Sequence, residues 1–268
     1  MKLTKRVKRI KQNDFKETGA KARHIRDYYS NRENARAYDA TRFTGGGAVI
    51  DEAEKKAVAE ALRPKRGMKI VDVASGTGRF ARLLASRGAS VTAFDYSKEM
   101  LELSRQIALR EGFRLRFARG DAAETGLREN AFDAASCMRF FIHVEKPAAY
   151  LRELARVTRG PIVFDTVNSR SLKFFQAVFV NAFKKTLGYS YMSVFSENEV
   201  CGEVERAGLT VAEVRKEFFF PQAVYRFLPF PLARELKKFD DALLRLTGGR
   251  LACAHYWKTR KNEKTGKK

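Results

Sequence analysis

From Lys69 onward the sequence alternates between short apolar runs and segments with helical spacing, and this alternation limits most strongly how the chain can fold. The runs that indicate the first five strands are KIVDVA, SVTAFD, LRFARG, FDAASCM and GPIVFDTV. They are too apolar for a sheet with one solvent-facing side, so they indicate a parallel sheet covered by helices on both faces. The sequence therefore predicts a doubly wound α/β domain.

The rhythm changes after the fifth strand. Residues 171–187 form an aromatic-rich helical segment, and Ser196-x-x-Glu199 is a capping box that opens another helix. A strand (TVAEVRKEFFF), a long helix (PFPLARELKKFDDALLRL) and a final strand (RLACAHYWKT) follow. These segments add two strands and helical cap insertions to the domain.

The positive charge divides the chain into three parts. The net charge is +22, and the two ends carry more than half of it. Residues 1–26 contain ten basic and two acidic residues, and residues 258–268 contain six basic residues and one acidic residue. We predict a basic helical N-terminal arm over 1–47, which ends in a triple glycine typical of a hinge or flexible turn. The main domain is then 48–258, with a cap insertion at about 171–195, and 259–268 is a basic disordered tail.

Composition excludes several protein classes. The three cysteines are far apart and show no CxxC spacing, so they predict neither a metal site nor a disulfide framework. No signal peptide or transmembrane segment is recognisable, which favours a cytoplasmic protein. The basic ends either serve solubility and packing or attract RNA or an anionic membrane surface, so peripheral membrane contact stays open. The high content of Lys, Arg and Glu is typical of thermophilic proteins.

The turn VDVASGTGRFA, residues 71–81, leads from the first strand into a helix with the spacing Gly76-x-Gly78-x-x-Ala81. Ligands of doubly wound sheets bind outside the carboxyl ends of the strands. Glycines at that edge let the backbone approach a ligand, and the following helix N-terminus is open toward it. The same spacing occurs in dinucleotide-binding proteins and in turns that bind nothing, so the turn alone leaves these alternatives open.

Acidic residues at three successive strands narrow the range of ligands that the turn could bind. Asp95 closes the second strand, where a carboxylate can accept hydrogen bonds from both hydroxyls of a ribose. Asp121 follows the third strand and is placed to meet an adenine amino group. Asp72 lies inside the first strand, and because a buried charge needs a partner, we expect it to order the amides of the turn or to face a cationic ligand group. These acids suit a pyrophosphate poorly, which disfavours a nicotinamide cofactor.

Taken in order, these motifs resemble the class I S-adenosylmethionine-dependent methyltransferases of the small-molecule or lipid type. The motifs are Asp72-x-Ala74-x-Gly76-x-Gly78, Asp95 with Ser97 and Met100-Leu101, Gly120-Asp121-Ala122, and FDAASCMRFFIHV. The resemblance covers about residues 50–167, and more loosely the rest of the domain. It implies a Rossmann-like, mostly parallel seven-stranded sheet with an antiparallel last strand, and S-adenosylmethionine as cofactor.

The resemblance also implies a set of cofactor-binding residues. They are Asp72, Ala74, Ser75, Gly76, Gly78, Asp95, Tyr96, Met100, Asp121, Ala122, Cys137 and Met138. Within this set Asp95 would hold the ribose, Tyr96 or Met100 would pack on the adenine, and Asp72 would lie near the ligand's ammonium group. Ala74 stands where the family usually carries glycine. An alanine fits this position without strain only if its φ is negative.

Residues near the fourth strand and in the arm are candidates for the acceptor side. His143 is the candidate general base, although a histidine among apolar neighbours is often structural. Arg139 could clamp an acidic substrate or neutralise carboxylates of the domain. Tyr38 and Arg42 resemble the N-terminal lid of small-molecule members. The cap aromatics, Phe175 and Phe179 among them, and those of FFFPQAVYRFLPFP could line an apolar pocket or belong to the core.

The methyl acceptor stays open at this stage. A small-molecule or lipid- and quinone-like acceptor is one alternative, because the aromatic insertions could roof a pocket. Structured tRNA or rRNA bound by the basic ends is the other. An NAD-dependent oxidoreductase and a non-catalytic binding subunit are further alternatives, which the acids at three strand ends disfavour.

Overall fold

The computed structural model describes residues 28–187 and 192–262. The strands are β1 (Lys69–Val73), β2 (Ser90–Asp95), β3 (Arg116–Arg119), β4 (Ala134–Cys137), β5 (Ile162–Val167), β6 (Leu209–Glu217) and β7 (Ala254–Lys261). The helices are α1 (Arg32–Arg42), α2 (Gly47–Leu62), α3 (Arg79–Ser86), α4 (Lys98–Arg110), α5 (Ala148–Val157), α6 (Lys173–Leu187), α7 (Glu197–Arg206), α8 (Gln222–Arg226) and α9 (Phe230–Leu246). A short 3₁₀ turn spans Phe141–His143.

The strands form one sheet in the order β3-β2-β1-β4-β5-β7-β6. The pairs among β1 to β5 are parallel, and β7 runs antiparallel to both β5 and β6. The winding reverses beside β1, which has β2 on one side and β4 on the other. This order confirms the predicted doubly wound sheet with an antiparallel last strand.

Two apolar clusters lie on opposite faces of the sheet. Along β1, Ile70 packs into the cluster that α2 and α3 cover, while Val71 and Val73 face the other cluster. The first cluster also contains Phe218 and Tyr225, and the second contains the leucines of α5 and Trp257 of β7. Since side chains of a strand alternate between faces, β1 is buried on both sides, as its continuous apolar run predicts.

The capping box predicted at Ser196 and Glu199 is confirmed, and two further helix starts have identifiable caps. The Ser97 hydroxyl caps α4 by accepting the Met100 amide at 3.0 Å, and Ser196 with Glu199 forms a complete capping box at α7. Pro147 is the N-cap of α5, where its missing amide hydrogen removes no helical hydrogen bond.

The triple glycine is not a hinge in this fold. A Cβ on Gly46 would lie 2.1 Å from the carbonyl oxygen of Tyr225, and one on Gly47 would lie 2.3 Å from that of Arg42. Both glycines are therefore needed so that α1 and α8 can pack closely against the start of α2. Gly47 is the first residue of α2, one residue before the predicted boundary of the main domain.

The predicted start of the C-terminal tail, residue 259, is too early. Strand β7 continues to Lys261, and Thr259 is fully buried in its pairing with β5. Residues 259–261 thus belong to the sheet, because the strand places Thr259 in the interior while Lys258, Arg260 and Lys261 reach the surface or its edge. Most of the predicted basic arm, residues 1–27, and the end of the tail, residues 263–268, lie outside the described residues.

Candidate active site

A cleft lies at the carboxyl ends of β1, β2 and β4, where the winding reverses. It encloses about 990 Å³, including solvent at its mouth. Its lining residues come from the N-terminal segment, the strand ends and the 3₁₀ turn: Tyr29, Tyr38, Ala74, Gly76, Phe94, Asp95, Tyr96, Ser97, Met100, Gly120, Asp121, Ala122, Met138, Arg139, Phe140, His143, Val144 and Tyr150. The mixture of apolar walls with a few polar groups is typical of small-molecule sites.

The two glycines of the β1–α3 turn serve different purposes. Gly76 has φ +53°, and a Cβ there would meet no atom within 4 Å because the position faces open space in the cleft. Gly78 has φ +76° and caps α3, and a Cβ there would lie 2.1 Å from the Ser104 hydroxyl of α4. Gly76 therefore leaves the cleft floor open to a ligand, whereas Gly78 permits close packing and does not line the cleft.

Ala74 adopts φ +55°, so the condition of a negative φ, under which alanine would replace the family's glycine without strain, is not met. The left-handed conformation brings the alanine Cβ close to the backbone and costs about 1–2 kcal/mol relative to glycine. The turn needs this conformation because the chain leaves β1 sharply there, and the next amide, Ser75 N–H, donates back to the Phe94 carbonyl of β2 at 3.0 Å.

Asp95 is held at the end of β2 by two backbone amides. Its Oδ2 accepts the Gly76 amide and its Oδ1 accepts the Ser97 amide, each at 2.8 Å. Burial raises the pKa of Asp95, and these hydrogen bonds oppose that rise. Each carboxylate oxygen has more than one lone-pair direction, so both can also accept ligand hydroxyls. The glycine turn and the acid are thereby fixed against each other as one rigid unit.

The opposite wall of this half of the cleft comes from β3 and α4. Asp121 is buried, and its Oδ1 accepts the Ala123 amide at 2.8 Å, which fixes the carboxylate beside Ala122. Met100 projects from the first turn of α4, and Tyr96 lies between Asp95 and the Ser97 cap. These residues line the cleft together with Asp95.

Some predicted cofactor residues do not line the cleft. Asp72 points away from it into the sheet face under α3, where its Oδ1 accepts the Ser136 hydroxyl at 2.6 Å. Burial raises the pKa of Asp72 to about 7, opposed by the hydrogen bonds from Ser136 and the Ala81 backbone. Ser75 is buried behind the turn. The Cys137 thiol lies in the apolar cluster beyond the cleft wall, so Met138, the residue after β4, lines the cleft in its place.

The N-terminal segment crosses the mouth of the cleft. The Ser97 hydroxyl donates to the Tyr29 carbonyl at 2.9 Å, and the Thr77 hydroxyl donates to Asp39 of α1 at 2.9 Å. The Tyr29 hydroxyl lies 3.2 Å from His143 Nε2. Burial raises the pKa of Tyr29 to about 12, so this phenol stays protonated at neutral pH. Tyr29 was missed from the sequence, because nothing local relates it to a histidine 114 positions away.

A buried charge network supports the acceptor end. Glu54 of α2 is fully buried between two guanidinium groups, with Arg79 Nη2 at 2.6 Å and Arg139 Nη1 at 2.7 Å. Burial opposes its ionisation, but Arg139 and Arg79 lower the pKa of Glu54 below its usual value. The Arg139 amide also donates to Asp165 of β5. Arg139 thus pairs with a carboxylate of the domain and also lines the cleft, and the clamping of an acidic substrate stays a prediction.

The predicted acceptor-side residues divide into two groups. Tyr38, Arg139 and His143 line the cleft, and Arg42 lies just behind Tyr38 with its guanidinium carbon 4.2 Å from the ring centroid. Phe175 and Phe179 lie on the outer face of α6, with 70% and 57% of their surface exposed, and do not line the cleft. The described part of the cap insertion therefore does not roof the cleft, and Tyr29 and Tyr38 cover it instead.

The aromatic run FFFPQAVYRFLPFP is also absent from the cleft lining. Phe218 and Tyr225 are fully buried in the apolar cluster beneath α2, so they belong to the core. Phe227 is exposed at the end of α8. The pocket interpretation of these aromatics is wrong, because α8 and α9 pack behind α2 and not over the strand ends.

The fold and motifs agree with known proteins. A family model for the methyltransferase domain matches residues 71–161, which span the glycine turn, Asp95, Asp121 and His143. The chain carries a class I methyltransferase domain. S-Adenosylmethionine is the cofactor of this family, and the NAD alternative is set aside.

Relatives of this methyltransferase include two ubiquinone biosynthesis O-methyltransferases. The chain is 27% identical over 162 residues to the protein from Aeromonas salmonicida (strain A449), an alignment covering 58% of this chain and 68% of that protein. It is 35% identical over 122 residues to the protein from Vibrio parahaemolyticus serotype O3:K6, covering 44% of this chain and 51% of that one. The chain thus spans about half the length of the second relative.

A solved structure shares the fold over most of the chain. Magnesium protoporphyrin IX methyltransferase from Synechocystis PCC 6803, determined with bound SAH, has a TM-score of 0.61 and 16% identity. The match covers 89% of this chain and 98% of that one. In the described ranges no helix of the methyltransferase is long and apolar enough to cross a membrane.

Proposed function

We propose that the protein transfers the methyl group of S-adenosylmethionine to a hydroxyl oxygen of a small, aromatic, quinone-like acceptor. The observation that carries the proposal is that Gly76 and Asp95 line the same cleft as Tyr38, Arg139 and His143. The similarity to ubiquinone biosynthesis O-methyltransferases supports an aromatic hydroxyl as the acceptor group.

The residues of the cleft fit the proposed cofactor. Asp95 would accept the ribose hydroxyls, Tyr96, Met100 and Ala122 would pack against the adenine, and Asp121 would meet its amino group. The open space before Gly76 would take the methionine part. When bound, the cofactor supplies a methyl group already activated by a positively charged sulfur, so the protein must mainly position the acceptor and exclude water.

His143 is the proposed general base. An aromatic hydroxyl becomes a better nucleophile when it loses its proton as the new oxygen–carbon bond forms and the sulfur–carbon bond breaks, and a neutral imidazole can take that proton. The Tyr29 hydroxyl 3.2 Å from Nε2 would hold the ring in place. Because its raised pKa of about 12 keeps Tyr29 protonated at neutral pH, the phenol cannot take the acceptor's proton. The Nε2–H of His143 would donate to the Tyr29 hydroxyl oxygen, which leaves Nδ1 as the atom that takes the proton.

The base assignment is tested with two acceptors that differ in acidity. Replacing His143 by Ala should lower kcat for catechol by about 10²-fold, the usual contribution of a general base. The defect should be much smaller for 4-nitrocatechol above neutral pH, since that acceptor is already ionised. Tyr29→Phe, which removes only the hydroxyl, should give a smaller loss with the same acceptor dependence. Equal defects of His143→Ala for both acceptors would show that His143 is structural.

Peripheral contact with an anionic membrane is a finer proposal for a lipid-like acceptor. It is supported by the exposed apolar face of α6 (Phe175, Val178 and Phe179) together with the net charge of +22. Co-sedimentation with phosphatidylglycerol vesicles should exceed that with phosphatidylcholine vesicles, and Phe175→Ser should reduce it. Binding of tRNA in place of vesicles, steeply dependent on salt, would favour the RNA alternative instead.

A further inference from the structure

Cationic side chains from four separate elements converge beside the acceptor end of the cleft. They are Arg42 at the end of α1, Arg139 after β4, Lys173 at the start of α6 and Arg226 at the end of α8, and we call them the cation cluster. The cluster adjoins the cleft through Arg139, which lines it, and through Arg42, which stacks on the lining residue Tyr38.

Packing at Gly47 brings two members of the cluster together. A Cβ on this glycine would lie 2.3 Å from the Arg42 carbonyl oxygen and 3.8 Å from Cγ of Arg226, so the two arginines flank the same point of α2. Lys173 reaches the other end of α8, where its ammonium group donates to the Gln222 side-chain oxygen. The absence of a side chain at position 47 thus lets the Arg42 backbone and the stem of the Arg226 side chain pack against the same point of α2.

The charges of the cluster members interact with one another. Burial, followed by the charges of Arg139 and Arg42, lowers the pKa of Arg226 to about 10. Burial, followed by Arg139 and partly by Arg226, lowers the pKa of Lys173 to about 8. Repulsion of this kind disfavours the folded arrangement unless negative charge compensates it.

The protein's own carboxylates compensate only part of the cluster. Glu54 pairs with Arg139 and is shared with Arg79, and Asp165 accepts the Arg139 amide. Among the residues that the structure describes, no carboxylate lies within 4.0 Å of the guanidinium of Arg42 or Arg226. The Nε of Arg226 is buried and has no hydrogen-bond partner in the described part of the chain. A buried donor without an acceptor is costly, so this position is incomplete as it stands.

We propose that the cation cluster binds an oxyanionic group of the methyl acceptor, a carboxylate or a phosphate, close to the hydroxyl that is methylated. The inference rests on the proposed function and deepens it, because it requires an acceptor with two features: an aromatic hydroxyl near His143 and an oxyanion at Arg139, which lines the cleft and has Arg226 behind it. Guanidinium groups match such oxyanions in geometry and form short, charge-assisted hydrogen bonds with them. Tyr29 and Tyr38 would pack on the ring that joins the two features.

Matched ligands test the proposal directly. Catechol, 3,4-dihydroxybenzoate and 3,4-dihydroxyphenyl phosphate are titrated by calorimetry into the full chain, with and without saturating S-adenosylhomocysteine. At least one of the two anionic compounds should bind about tenfold or more tightly than catechol. Which of the two binds better identifies the oxyanion. Equal affinity for all three compounds would overturn the proposal.

Variants locate the preference in the cluster. In Arg226→Met the preference over catechol should fall to about twofold or less, and Arg226→Lys should keep part of it. Arg110→Met, on the exposed end of α4, should keep all of it. A preference that survives Arg226→Met unchanged would overturn the assignment. Loss of S-adenosylhomocysteine binding in the wild type would instead contradict the proposed function, so the two failures are distinguishable.

Discussion

The two halves of the cleft are built on different principles. On the cofactor side, the glycine turn, Asp95 and Asp121 lie at consecutive strand ends and are fixed by backbone amides two to nineteen positions away in sequence. On the acceptor side, Tyr29 meets His143 across 114 positions, and Arg139 meets Glu54 across 85. The cofactor side is therefore a local property of the sheet edge, whereas the acceptor side exists only after distant segments have packed.

This difference indicates how the two halves can vary. Strand-end residues and short turns keep their positions whenever the sheet forms, so one cofactor site serves many enzymes. The acceptor side depends on one buried carboxylate, the N-terminal segment and the start of α8, none of which the sheet determines. Variants on the acceptor side should therefore affect stability most, and variants on the cofactor side should affect ligand binding most.

The largest stability effect is expected for Glu54→Gln. The amide keeps the shape of the side chain but leaves the buried guanidinium groups of Arg79 and Arg139 without their shared carboxylate. Breaking a buried ion pair in this way costs about 3–5 kcal/mol, measured here as the free energy of unfolding in urea. Glu52→Gln, on the exposed face of the same helix, should change it by less than about 0.5 kcal/mol. Similar stabilities of the two variants would remove the distinction between the halves.

Asp95→Ala is expected to weaken cofactor binding strongly and to leave the packing of the acceptor side unchanged. Hydrogen bonds to a charged group contribute about 1.5–3 kcal/mol each, so losing the ribose contacts should weaken S-adenosylhomocysteine binding by about 10²-fold or more in calorimetry. Asp133→Ala is the matched control, because that aspartate caps the opposite end of the sheet by accepting the Lys69 amide. A variant of Asp95 that is folded and binds the ligand as tightly as the Asp133 variant would refute the ribose assignment.

The smallest expected effect concerns Ala74→Gly. Glycine relieves the left-handed φ of +55°, but it also gains conformational freedom in the unfolded chain, so the net gain should be about 0.5 kcal/mol. Ala122→Gly should instead destabilise the protein, since Ala122 packs against the same apolar cluster without a positive φ. Thermal unfolding of both variants measures the difference. Destabilisation by Ala74→Gly would mean that the Cβ packs better than its strain suggests.

Sequence reasoning predicted most of the fold and the cofactor side. The sequence runs matched every strand to within a few residues. For the central strands β1, β2, β4 and β5 the reason is burial on both faces, which leaves a continuous hydrophobic signal. The positions of Gly76, Asp95 and Asp121 followed from the strand ends. Asp72 was misplaced, because alternation along β1 turns its side chain to the sheet face under α3, which a motif match ignores.

The acceptor side could not be predicted in the same way. The aromatic run near Phe218 and the cap aromatics resemble a pocket lining in composition, but their location depends on how α8 and α9 pack against α2. Glu54 lies among other acidic residues of an amphipathic helix, and no local signal marks it as the buried partner of two arginines. The triple glycine is read as a hinge unless the chain segments that crowd it are known.

The most direct test of the account is a crystal structure of the protein with S-adenosylhomocysteine. We expect the ribose hydroxyls on the Asp95 carboxylate, the adenine between Met100 and Ala122, and the sulfur facing Arg139 and His143. A cleft that remains empty, or a ligand bound elsewhere while Tyr29 and Tyr38 fill the space above Gly76, would contradict it.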